Sequence, residues 1–75
     1  MGTKERKARE RHERRQLILH KSAELFASRG FDNVTVSDIC RAIEYGKSAL
    51  YSLFDSKEEI YGEISIQGML QLDNM

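Results

Sequence analysis

Between Thr35 and Phe54 the chain carries two short helical patterns separated by Glu44-Tyr45-Gly46, and their closeness is the strongest constraint on its fold. Thr35 is a good N-cap, and Asp38 three residues later is a carboxylate variant of the capping box. Val34 and Ile39 flank that start as a hydrophobic staple. Val36, Ile39, Cys40 and Ile43 then recur on one face of a short helix. Beyond the turn, a helix from about Lys47 to Leu53 turns Leu50, Leu53 and Phe54 inward. Isolated helices under about 12–15 residues are marginal in water. The pair therefore needs other helices against its apolar side.

The sequence supplies two. A first helix starts within residues 4–12 and runs to about Arg29, with Ile18, Ser22, Leu25 and Phe26 on one face and Leu19 and Ala23 beside them. Gly30 ends it as a left-handed C′ residue, which lets Phe31 pack back on Phe26; Asp32 and Asn33 continue the loop. A fourth helix is announced by Ser56 with Glu59, a second capping box. Its apolar positions are Ile60, Tyr61, Ile64 and Met69, and Gly62 and Gly68 each weaken it by about 1 kcal/mol relative to Ala. The expected fold is all-α, a small bundle with a three-helix homeodomain-like helix-turn-helix core and the start of a fourth helix.

Composition narrows the class. Seventy-five residues hold one small domain, whose core rarely supplies more than about 3–5 kcal/mol. Charged residues at 32% and hydrophobic ones at 40% suit a soluble helical domain, and no apolar run approaches membrane-spanning length. The charged N-terminus has no secretory h-region. A single cysteine points to a reducing, cytoplasmic setting. The zero formal charge conceals an asymmetry: residues 1–16 hold seven Lys and Arg against three Glu, and the remainder is acidic by the same margin. Glu5–Arg9 and Glu10–Arg14 have the spacing of favourable helix pairs, so this stretch reads as a helix extension rather than a linker.

The elements Ile18-Leu19, Leu25-Phe26-Ala27, Gly30-Phe31, Thr35-Val36-x-Asp38-Ile39, Ala42, Leu50-Tyr51, Phe54 and Ser56-Lys57-Glu58 occur in one order without a gap. In that combination the chain resembles the N-terminal DNA-binding domain of the TetR-type (tetracycline-repressor-like) transcriptional regulators, over roughly Arg15 to Met69. The resemblance implies sequence-specific binding of double-stranded operator DNA by a helix-turn-helix. It further implies a ligand-responsive repressor that dimerises, and binds its small-molecule effector, through a C-terminal domain absent from this chain. The chain then divides into a basic helical extension (1–14) and the DNA-binding domain (15–75), with the helix-turn-helix at 35–54 and helix four from 57. It departs from the family pattern at the turn and after it. The family usually has Gly at Glu44, a Ser N-cap at Gly46, Gly-Thr at Ser48-Ala49 and a second aromatic at Leu53.

Within that resemblance the DNA-facing side of helix three is Lys47, Ser48, Ala49, Tyr51 and Ser52. Lys47, at the helix start, reaches base edges or phosphates, and lysine can donate to guanine O6 or N7. The alternative is a solvated surface lysine. Ser48 lets the backbone approach and offers a hydroxyl to a phosphate or base. Ala49 contacts a thymine methyl or is a small filler. Tyr51 matches the family's tyrosine, which approaches the DNA backbone while bracing the helix; the alternative is a half-buried core tyrosine. Thr35 and Lys57 stand at the starts of helices two and four, where free N–H groups attract phosphate, and are expected to grip the backbone on either side. The basic stretch 4–15 either adds phosphate or minor-groove contacts or is a solvated helix face.

No enzymatic, metal or cofactor chemistry is expected. His12, His20 and Cys40 lack zinc-site spacing, Cys40 reads as a buried inert thiol, and no Ser/His/Asp set or phosphate-cradling glycine loop is present. The competing reading is a small helical protein-interaction module using the basic helix one and the apolar face of helix four. A membrane-surface helix fits poorly, because almost nothing apolar precedes Leu17.

Overall fold

A computed structural model describes residues 3–69, and its described residues form four α-helices and no strand. They are α1 (Thr3–Arg29), α2 (Val36–Ile43), α3 (Lys47–Tyr51) and α4 (Lys57–Gln67), with a 3-10 turn at Phe31–Asn33. Residues 1–2 and 70–75 lie outside the described residues.

Helix α1 is the spine. At 1.5 Å per residue its length is about 40 Å, close to the 44 Å longest dimension of the molecule. Its C-terminal half supplies Ile18, Leu19, Ala23 and Phe26 to the core; α2 adds Ile39, Cys40 and Ile43, α3 adds Leu50, and α4 adds Ile60 and Ile64. Val34 and Phe54, just outside helices, are also buried. Each short helix thus buries its apolar side against α1 or a neighbour, as its length requires. Across α1 and α4, Arg15 pairs with Glu63 at 3.2 Å and lies over the Phe54 ring.

The ends of the helices show why the chain turns where it does. Gly30 has φ +90° and ψ 148°, a positive-φ conformation that favours glycine but lies outside the left-handed helical well, and its N–H donates to the Phe26 carbonyl at 2.9 Å. Phe31 then packs back on Phe26 with the rings tilted, centroids 5.2 Å apart, and Tyr61 of α4 meets both edge-on to complete a three-ring cluster. Asn33 does more than continue the loop: its Nδ2 donates to the Arg29 carbonyl and closes the end of α1. The α2 capping box forms in full, with Asp38 N–H donating to Thr35 Oγ1 and Thr35 N–H to Asp38 Oδ2, both at 3.0 Å. At α4 only half of the expected box forms. Ser56 Oγ accepts from Glu59 N–H, but the Glu59 carboxylate reaches back one residue further, to the Asp55 N–H at 2.6 Å.

Three boundaries differ from expectation. Helix α1 begins at Thr3, before the anticipated start. Regular α3 stops at Tyr51, and its last turn loosens through Leu53 N–H to Leu50 O. There Ser52 Oγ donates to Ala49 O, a side-chain bond that competes with the helix ladder. Finally, Gly68 terminates α4 rather than weakening its interior. It takes φ +69°, its N–H reaches Ser65 O, and Met69 N–H reaches Ile64 O, which is a Schellman ending. Met69 accordingly packs on the core from beyond the helix.

Candidate nucleic-acid interface

Helix α3 has only five residues, so its orientation depends on what holds it from behind. Leu50 is fully buried and Phe54 nearly so. On the opposite side Lys47, Ser48, Tyr51 and Ser52 are exposed, sharing one helical face at i, i+1, i+4 and i+5, and Ala49 lies half-buried at its edge. The structure therefore brings together the residues that the sequence placed on the outer side of this helix. Ser52 is the least available, because its hydroxyl proton is given to Ala49 O.

The turn that aims α3 carries the departures from the family pattern. Glu44 is the C-cap of α2 with φ 63° and ψ 28°, the only non-glycine residue at positive φ among those described. Its N–H closes on Cys40 O at 2.8 Å, so the left-handed turn forms despite the steric cost of a Cβ there. Gly46, the N-cap of α3, gives no side-chain bond to the helix start. Its φ of −76° is open to any residue, and a Cβ added there meets nothing within 4 Å.

The two expected phosphate-gripping residues are placed differently. Thr35 is exposed, but its N–H already serves Asp38, and its hydroxyl proton can turn to a phosphate only by leaving the Asp38 carboxylate. Asp38 beside it is held below the usual carboxylate range, first by the Thr35 backbone N–H and then by the Thr35 hydroxyl. Partial burial opposes this, and Arg29 and Arg41 add smaller help at 3.6 and 3.8 Å. Lys57 turns inward. Its Nζ donates to Phe31 O at 2.8 Å and Val34 O at 2.9 Å and sits 4.2 Å from the Phe31 ring centroid. It ties the start of α4 to the α1–α2 connection, and an ammonium so engaged has one of its three protons left.

Further residues border this face: Arg11 and Arg14 come from the basic stretch that the sequence left open between DNA contact and a solvated helix face, and Tyr45 from the turn. Arg14 of α1 places its guanidinium over the exposed Tyr45 ring of the turn at 5.3 Å, and Arg11 Nη2 donates to Ser52 O at 3.4 Å. The expected Glu10–Arg14 pair is not formed; the side chain of Glu5, in the other expected pair, lies outside the described residues. Arg29 and Arg41 remain mostly exposed while paired to Asp38. Arg41 had a local signal, its i+3 spacing from Asp38; Arg11 was marked only by its basic stretch, with nothing to announce its contact with Ser52, and Tyr45 had no signal. Cys40 is buried as a free thiol. Among the described residues no group of His, Cys, Asp and Glu could hold a metal ion, and no helix is long and apolar enough to cross a membrane.

The family model for bacterial regulatory proteins of the tetR family matches residues 18–64, from the first buried residue of α1 to the last of α4. The biofilm operon icaADBC HTH-type negative transcriptional regulator IcaR of Staphylococcus epidermidis is 39% identical over 44 residues, and that of Staphylococcus aureus is identical to the same degree. Those residues are 59% of this chain and 24% of each relative, so the match spans about a quarter of the relatives' length. No solved structure matches the chain.

Proposed function

The chain belongs to the tetR family of bacterial regulatory proteins, and from that premise we propose that it binds double-stranded DNA sequence-specifically through α2 and α3, as the DNA-binding part of a transcriptional repressor. One observation carries the reading. Lys47, Ser48 and Tyr51 are displayed together on a helix whose other side is locked by Leu50 and Phe54. A recognition helix needs those two properties, a polar face free to enter the major groove and a fixed angle of entry.

In this proposal Lys47 reaches base edges, Ser48 and Ala49 allow close approach, and Tyr51 approaches the backbone while bracing α3. Ser52 contributes a smaller polar contact at the end of the helix. The Thr35 hydroxyl meets a phosphate at the start of α2. Lys57 acts as a positioning residue, because its ammonium holds the α1–α2 connection in place; a direct phosphate contact would draw on its remaining proton. Repression follows the relatives' printed role as negative regulators. Homodimerisation through a C-terminal domain, a small-molecule effector bound there and action in the cytoplasm complete the proposal. The family is one of regulators, and no catalytic role is assigned.

A salt titration of duplex binding tests it. Phosphate contacts release counterions, so log K should fall linearly with log salt. Absence of salt-sensitive binding at low ionic strength and high protein concentration would contradict the proposal.

A further inference from the structure

The interleaved glutamates of residues 4–15 suggest a charge-balanced, solvated helix, but their angular positions do not. Residues spaced i, i+4, i+7 and i+11 share one face of an α-helix. Lys7, Arg11, Arg14 and Ile18 have that spacing. Ile18 is fully buried in the core, which fixes the direction of the whole stripe. It looks toward the side of α1 on which the helix-turn-helix packs, and it continues outward beyond the core.

Two contacts confirm that direction. Arg14 lies over Tyr45 in the turn, and Arg11 reaches the carbonyl of Ser52 at the end of α3. Lys7 is one helical turn further out, about 6 Å along the axis. At 100° per residue Glu13, Arg9 and Arg6 fall away from the stripe; of the two glutamates at 10 and 13 only Glu10 borders it, and Glu10 does not pair with Arg14. The side chains of residues 6–13 are exposed, so the cations are accessible. Arg11 keeps most of its five N–H donors after its single long bond.

We infer that this extension is a phosphate clamp, in which Lys7 and Arg11 grip the DNA backbone at the edge of the groove that α3 enters. Arg14, stacked on Tyr45, is a positioning residue that holds the base of the clamp against the turn. The occupant is duplex DNA because the stripe borders the end of the recognition helix and its charge complements phosphate. The inference rests on the DNA-binding reading above, and deepens it by assigning contacts outside the helix-turn-helix.

The test uses the full 75-residue chain and a fluorescent mixed-sequence duplex of about 30 base pairs, three helical turns. Binding is measured across a salt series for wild type, for Lys7→Gln/Arg11→Gln and for Arg6→Gln/Arg9→Gln, with helicity followed by circular dichroism. Glutamine keeps helix propensity close to that of Lys and Arg. Loss of two phosphate contacts should lower the magnitude of the log K against log salt slope by about 1.8, at unchanged helicity. The Arg6/Arg9 variant should keep the wild-type slope to within about half that change. An unaltered slope in the Lys7/Arg11 variant overturns the clamp, and so does an equal loss in both variants, which would mean diffuse charge rather than a directed stripe. If wild type itself shows no salt-dependent binding, the DNA-binding reading fails first and takes the clamp with it.

Discussion

The two helices of the DNA-facing motif are built by opposite means. Helix α2 is specified at its own start: Thr35 and Asp38 exchange reciprocal bonds, and Val34 and Ile39 are both fully buried beside them. Helix α3 is specified almost wholly from behind. Its N-cap is a glycine without a side-chain bond, the residue ending α2 is a glutamate in a left-handed conformation, and Leu50 and Phe54 hold it in place. The difference teaches where each helix is vulnerable. A defect at its cap weakens α2, whereas α3 fails when its packing is lost.

Leu50→Ala should therefore have the largest effect. Burying and then deleting a leucine costs about 2–5 kcal/mol, comparable to the whole core contribution of about 3–5 kcal/mol in a domain this small. Urea denaturation should show a largely unfolded chain; a cooperative transition near that of wild type would mean that α3 is not held by this side chain. Thr35→Ala is the matching experiment on α2. Loss of the cap should cost about 1 kcal/mol, seen as a lower urea midpoint with an unchanged slope, and the fold should survive.

Glu44→Gly separates the two regions in sign. A left-handed conformation costs a residue with a Cβ about 1–2 kcal/mol, while glycine gives back about 0.5–1 kcal/mol through greater freedom in the unfolded chain. The variant should be more stable by up to about 1.5 kcal/mol, and a loss of stability would show that the Glu44 side chain has a role the turn needs. The smallest effect is confined to acid. Because the folded pKa of Asp38 lies below its ordinary value of 3.8, its contribution is fully present above that value and is lost as pH falls through the lower, folded one. The advantage of wild type over Asp38→Asn should be constant near neutrality and shrink in that acid window; an advantage that disappears well above pH 3.8 would contradict the capping role.

Legibility from sequence followed the range of the interactions. The α2 capping box and the Phe26–Phe31 contact across Gly30 join residues three to five apart, and the spacing alone announces them. So does the outer face of α3. Lys57 was different, since Phe31 and Val34 lie 26 and 23 residues away and nothing near Lys57 marks its ammonium for their carbonyls. Arg11 meets Ser52 across 41 residues for the same reason without a local trace. Gly68 was ambiguous in kind: a glycine late in an apolar pattern reads equally as a weak interior or a stop, and only its positive φ and the Met69 bond to Ile64 decide. The sign of residues 4–15 was legible, but their direction required knowing that Ile18 points into the core.

The central claim is that the outer face of α3 reads bases while its inner face only holds it. Selection of duplexes from a randomised pool, run in parallel for wild type and Lys47→Ala, tests it most directly. Wild type should enrich a defined half-site. Lys47→Ala should fold normally and lose preference at one position within it, at a cost of about 1–3 kcal/mol for the preferred sequence. If both proteins enrich the same site with the same preference, or wild type enriches none, the exposed face of α3 is not the reading surface.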